Sequence, residues 1–256
     1  MTAMDFQALL PLLVLASGAT LLMLQIAWMR NPGVTGALAA GILVLAGLSC
    51  RFAADPAPLQ VTPLLLADRY ALLFCTLFCL AGAVTALLSR DYVRRGDEPE
   101  EFFLLLVLAT MGACVLAYSV HVASLLLGLE LLSVSLYTLI AYPNKSILPL
   151  EAAVKYLVLS GAASATALFG FALLYSATGT LGFSAIGQEL GETSTGQSVL
   201  LPAAVMIFAG LAFKLSVVPF HLWTADVYDG APAPVTGFLA SVAKGAVFVV
   251  LLRLFL

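Results

Sequence analysis

From residue 6 to residue 255 the sequence repeats one pattern, an apolar run of about twenty residues followed by a short polar break. A bilayer's hydrocarbon core is about 30 Å thick, and a helix rising about 1.5 Å per residue crosses it in roughly twenty residues. Eight runs meet that length, at 6–28, 33–50, 68–88, 102–119, 122–142, 152–176, 199–222 and 233–255. Inside lipid every backbone amide needs a partner within the protein, so such runs close on themselves as helices. The pattern predicts an all-α polytopic membrane protein. No segment between the runs is long enough to hold a soluble domain.

Composition agrees. The chain is 62% hydrophobic and only 10% charged, where a soluble domain carries about 25% charged residues. A net charge of −3 leaves no basic patch to neutralise phosphates, which argues against nucleic acid as a partner. The opening "MTAMDFQALLPLLVLASGATLLMLQIAWMR" is apolar for too long, and too acidic at Asp5, for a secretory signal; it reads as a retained first span. Cys50, Cys75, Cys79 and Cys114 lie in or beside apolar runs. Cys75 and Cys79 share a helix face, but the sequence puts no third or fourth ligand near them. They read as buried thiols, with no metal site.

Lys and Arg in the loops set orientation. Loops 1–2, 3–4 and 5–6 hold Arg30, Arg90, Arg94, Arg95 and Lys145, against Arg51 and Arg69 on the other side. This predicts that these three loops are cytoplasmic and the N-terminus is outside. The polar segment "GTLGFSAIGQELGETSTGQS" then faces outward and "TADVYDGAPAPVTG" faces the cytoplasm.

Four ionisable residues fall inside the runs: Glu130 in the fifth, Lys155 in the sixth, Lys214 in the seventh and Lys244 in the eighth. Arg253 is close enough to the end of the eighth to snorkel. A charge at a helix centre costs about 2.5–3.5 kcal/mol on insertion scales, so these residues need partners or water. Three of the four lysines are in spans while the arginines sit at or near edges. A buried lysine can release its proton near neutral pH and arginine cannot, so the split suits proton handling. Simpler readings stand beside this one. Lys155 follows Glu151 by four residues, so an interfacial ion pair accounts for it. Glu130, Lys214 and Lys244 could be a structural buried pair or network.

The seventh run carries a second signal. "AFKLSVVPFHLW" places Pro219 five residues after Lys214, and proline removes a backbone donor, so the helix should kink or break there. A discontinuous helix beside a buried charge is how transporters hold ions at the midplane. His221 in the same stretch is either a satisfied interfacial histidine or a relay. His121 lies in the tight turn between the fourth and fifth spans and reads as structural.

"GLELLSVSLYTLIAY", "LPLEAAVKYLVLSGAASATALFGFALLYSATGTLGF" and "FKLSVVPFHLWTADVYDGAPAPVTGFLASVAKGAVFVVLLRLF" resemble subunit N of bacterial NADH-quinone oxidoreductase (respiratory complex I). That subunit is one branch of the antiporter-like family, shared with multisubunit cation/proton antiporters and membrane-bound hydrogenases. The resemblance runs from about residue 100 to the end, while the first hundred residues match in pattern only. It implies a three-helix segment over 1–98 and the first of two inverted five-helix repeats over 99–256, spans four to eight, with the seventh broken. It implies a proton path through Glu130, Lys155, Lys214 and Lys244, with His221 beside the broken helix. It also implies partners, namely other membrane subunits including neighbouring antiporter-like ones. NADH, flavin, iron–sulfur clusters and quinone are then expected in those partners, with no cofactor held by this chain. The second repeat of the family is not in this sequence, so a fragment, a truncated frame or a separate second chain is expected.

No GxGxxG after a strand and no cysteine motif for an iron–sulfur cluster occurs, so any redox chemistry belongs elsewhere. Three functions remain open at this point: a proton-translocating subunit of the quinone-reducing enzyme, a subunit of a sodium/proton antiporter or membrane-bound hydrogenase, and a scaffold in which the charges only lock helices together.

Overall fold

A computed structural model describes residues 2–93, 99–142, 147–192 and 197–255. Arg94, Arg95 and Lys145, three of the five charges behind the predicted orientation, lie outside these described residues. Eight helices among the described residues are long and apolar enough to cross a membrane. They are α2 (Leu10–Trp28), α3 (Pro32–Ala53), α4 (Arg69–Val93), α5 (Pro99–Tyr118), α6 (Val122–Ala141), α7 (Ile147–Thr178), α9 (Gln197–Leu215) and a last span. That last span runs from α11 (Ala233–Phe238) through a π turn (Leu239–Ala243) into α12 (Lys244–Phe255). Fold class and span count match the sequence expectation, and the departures are local.

The first span is split. A short α1 (Ala3–Ala8) stops at Leu9, because Pro11 has no N–H to give to the carbonyl of Gln7. Span ends follow cap chemistry. Asn31 accepts from the amides of Gly33 and Val34 ahead of α3, with Pro32 at its first turn. Asp68 Oδ1 accepts from Ala71 N at 2.7 Å to start α4. His121 Nδ1 accepts from Ala123 N at 3.0 Å to start α6, the structural role its tight turn suggests.

Between α3 and α4 the chain forms a small antiparallel hairpin, β1 (Leu59–Thr62) and β2 (Leu65–Ala67), with Leu59 opposite Ala67 and a register irregularity between Gln60 and Thr62. Pro56 and Pro58 end helical continuation there, and Thr62 Oγ1 closes the turn by accepting from Leu64 and Leu65. The hairpin knits one end of the bundle together. Ser124 Oγ donates to Leu64 O at 2.7 Å, Val120 N donates to the same carbonyl, and Phe183 N donates to Val120 O. The segment predicted as a polar loop after α7 holds a further helix, α8 (Phe183–Glu192), which buries Phe183 and Ile186 from one face at i, i+3 spacing.

α5 is the central post, packed on α2, α3, α4, α6 and α12, while α7 and α9 form the tightest pair. Where helices touch without a water-driven hydrophobic force, small residues let backbones approach. A methyl group at Gly112 would lie 2.6 Å from Leu132 N, and one at Gly210 would lie 2.6 Å from Ala163 O. Gly210→Val should therefore separate α9 from α7 and destabilise the protein by about 1–3 kcal/mol, the usual range for overpacking. Thermal unfolding in detergent reads this directly, and an unchanged midpoint would contradict the close contact.

Candidate functional site

α9 ends at Leu215, and the chain then runs irregularly through residues 216–222 before α10 (Trp223–Gly230) resumes. The break starts three residues ahead of Pro219. Ser216 adopts φ +59°, a left-handed conformation uncommon for a residue with a side chain, and the Val218–Pro219 peptide is cis. The loosened helix end is satisfied locally. Val217 N donates to Ala212 O, Ser216 N donates to Phe213 O, and the indole N–H of Trp223 also donates to Phe213 O at 3.1 Å. Trp223 is itself held between Tyr156 and Phe213, with ring centroids 4.7 and 5.2 Å away.

Lys214 stands in the last turn of α9, where the negative end of the helix dipole favours a cation. Its residue exposure is 7%, and its Nζ donates to Ser133 Oγ of α6 at 2.7 Å and Ser160 Oγ of α7 at 2.5 Å. Ser160 Oγ also accepts from Tyr137 Oη at 2.8 Å. Both serines lie near the middle of their helices, so the ammonium sits deep in the bundle. No carboxylate forms an ion pair with it among the described residues. Of the structural readings left open by the sequence, a direct Glu130–Lys214 pair does not form. Glu130 is exposed on the outer wall of α6, one turn from Ser133, and acts on Lys214 only through space. A glutamate side chain at that point of α6 leaves the bundle laterally, whereas Ser133, three residues on, turns toward α9.

The remaining candidates separate. Lys155 lies at the edge, its side chain 42% exposed, paired with Glu151 at 2.8 Å as the i,i+4 spacing suggests. It also pairs with Asp226 of α10 at 2.7 Å, a partner the sequence does not advertise because the residue falls in apparent loop. Lys244 follows the π turn, and its Nζ lies 5.2 Å from the centre of the Tyr228 ring. His221 is exposed within the break, and its imidazole makes no hydrogen bond to another described residue. Arg253 does not snorkel. Its guanidinium holds both carboxylate oxygens of Asp68 at 2.8 and 3.1 Å, because the end of α12 packs against the start of α4 and offers it a carboxylate closer than solvent.

Several buried hydroxyls around the break and along α7 and α10 have no hydrogen-bond partner among the described residues: Ser164, Ser216, Thr224 and Tyr228. Thr224 and Tyr228 share one face of α10, and Tyr228 meets Lys244. Buried hydroxyls without protein partners are where internal water is held. The arrangement is a lysine with hydroxyl ligands at a helix break, and a polar face leading from that break toward a second lysine.

The family described as "NADH:quinone oxidoreductase/Mrp antiporter, TM" matches residues 119–256, which is α6 to α12 and contains every candidate residue above. The chain belongs to this family. Among solved structures, the antiporter-like chain resembles a chain of respiratory complex I from Thermus thermophilus with bound aureothin. There the identity is 32%, the TM-score 0.81, and the match covers 95% of this chain and 52% of that one. The fold recurs in the membrane-bound sulfane sulfur reductase, an archaeal respiratory membrane complex, at 23% identity and TM-score 0.77, covering 95% and 51% of the two chains. It recurs again in the Mrp complex from Dietzia sp. at 18% identity and TM-score 0.82, covering 100% and 49%. The chain spans about half the length of the solved chains it matches.

The cysteines require a correction. Cys114 of α5 reaches Cys75 and Cys79 of α4, so a third sulfur does lie beside the pair. Residues 35 positions away in sequence meet because α4 and α5 pack side by side.

Proposed function

We propose that this chain is a proton-translocating membrane subunit of a bacterial NADH-quinone oxidoreductase, of the subunit N type. In this reading electron transfer from NADH to quinone takes place in partner subunits, which hold the flavin, the iron–sulfur clusters and the quinone. Residues 1–98 supply a three-helix segment and residues 99–256 the first antiporter-like repeat, in the inner membrane with the N-terminus outside. One observation carries the reading: Lys214 is buried beside a broken helix, bonded to hydroxyls and with no ion-pair partner among the described residues. A structural charge in low dielectric calls for an opposite charge. A serine hydroxyl, by contrast, accepts from the ammonium and donates to the neutral amine, so it serves both protonation states. Glu130, on the outer wall of the bundle, is then placed to be covered by a neighbouring membrane subunit while still acting on Lys214 through space.

Glu130 gives the test. In the assembled, full-length complex, Glu130→Asp should keep most of the proton uptake driven by quinone reduction. Glu130→Gln, which keeps the shape without the charge, should lose most of it, with both variants assembled on a native gel. Activity that falls only in step with assembly would instead make Glu130 an anchor and the chain a scaffold. The same signal measured with and without sodium separates proton pumping from sodium/proton exchange, and dependence on sodium would overturn the proton assignment.

A further inference from the structure

The four cysteines of the chain are free and buried on three helices, and three of them are gathered together. Cys75 and Cys79 stand one turn apart on α4, Cys114 faces them from α5, and Cys50 of α3 interacts with Cys75. The sulfurs of Cys75, Cys79 and Cys114 all lie within 4.8 Å of one another, and Cys79 and Cys114 are 3.9 Å apart. Two sulfurs bound to one ion at about 2.3 Å each, at trigonal or tetrahedral angles, are about 3.8–4.0 Å apart. The thiols are thus already near the spacing that a shared ion imposes.

We propose that Cys75, Cys79 and Cys114 form a three-sulfur site for one soft monovalent metal ion of the copper(I) class. Sulfur-only donors select soft ions, and no histidine or carboxylate joins this group among the described residues. A structural zinc site closes with four ligands, whereas only three sulfurs here are mutually close. Charge can also be balanced: one monovalent ion held by one thiolate and two thiols is neutral in the apolar interior and releases one proton on binding. Cys114 lies four residues before the end of α5, and Cys75 and Cys79 lie six and ten after the start of α4, so the cluster is about 6–15 Å, one to three helical turns, below the hairpin end of the bundle. The nearby hydroxyl of Tyr118 is turned to Ala8 O and leaves the coordination to sulfur.

The experiment uses the full-length protein, reduced and kept anaerobic in detergent, titrated with copper(I) held by a chromophoric competing chelator. One copper(I) per chain should leave the chelator, and X-ray absorption should show a sulfur-only shell. Losing an outer-shell partner costs about 10–100-fold in metal affinity, so Cys79→Ser and Cys114→Ser should each weaken binding by more than about 100-fold. Cys50→Ser should fall within that outer-shell range or below it. Uptake no greater than that of a Cys75, Cys79 and Cys114 triple serine variant would overturn the site. So would nitrogen or oxygen in the metal shell, or tight zinc binding without copper uptake. A Cys79–Cys114 disulfide that, once reduced, still takes up no copper would likewise make the cluster a redox pair and not a metal site. The absorption spectrum of the unmodified protein decides the case even where a serine variant fails to fold.

Discussion

Replacing Lys214 by Ala in the full-length subunit should cut proton movement through it by about a hundredfold or more, the lower end of what a positioned proton-transfer group contributes. Quinone-driven proton uptake by the assembled complex is the measurement, and uptake carried by other subunits sets its floor. Assembly should survive, because Ala removes the buried ammonium together with its cost and leaves two serine hydroxyls that can bond to water. Lys214→Arg sharpens the test. Arginine keeps the charge but does not release its proton, so a role confined to positive charge would be retained and a role in proton exchange would be lost. Ser133→Ala and Ser160→Ala should each slow uptake less than loss of the lysine, since each removes one of two hydroxyl contacts. Normal pumping with Lys214→Ala would remove the functional reading altogether.

How far these features could be read from sequence depends on the range of the physics behind each. Span number follows from the thickness of a bilayer and the rise of a helix, both local quantities, and all eight spans occur where the apolar runs lie. Strands β1 and β2 are four and three residues long, between prolines and a helix start, too short for alternation to be recognised. α8 was hidden in a polar-looking segment because, among its described residues, Phe183 and Ile186 are the buried apolar ones and most of the rest are polar or small.

The same rule governs the site. A lysine in an apolar run and a proline five residues on are local signals, and the structure has Lys214 buried and the helix broken there. Its ligands were not legible, since Ser133 and Ser160 lie 81 and 54 residues away and carry no charge. The Lys155–Asp226 pair joins helices 71 residues apart, and only the i,i+4 half of Lys155's pairing could be inferred from spacing.

Asp68 carries the largest expected effect on stability. Its carboxylate caps α4 through Ala71 N and holds Arg253 at the end of α12, tying chain positions 185 residues apart. Arg253 is 8% exposed at its side chain and lies over the Tyr70 ring at 5.0 Å, so it has little water to fall back on. Removing one partner of a buried pair strands the other charge and costs about 3–5 kcal/mol, while losing a helix cap alone costs about 1 kcal/mol. Asp68→Ala should therefore destabilise by about 3–5 kcal/mol in thermal unfolding of the purified protein. Asp68→Asn keeps a capping oxygen and loses the charge, so it should recover only the smaller, capping part. The double variant Asp68→Asn, Arg253→Leu then decides what the pair is for. With no stranded guanidinium and an apolar side chain in its place, it should return close to the original stability, because a well-packed apolar replacement for a buried pair is often neutral. If the double variant is instead as unstable as Asp68→Ala, the tie between the start of α4 and the end of α12 depends on the ionic contact itself and not on the burial of the groups that make it.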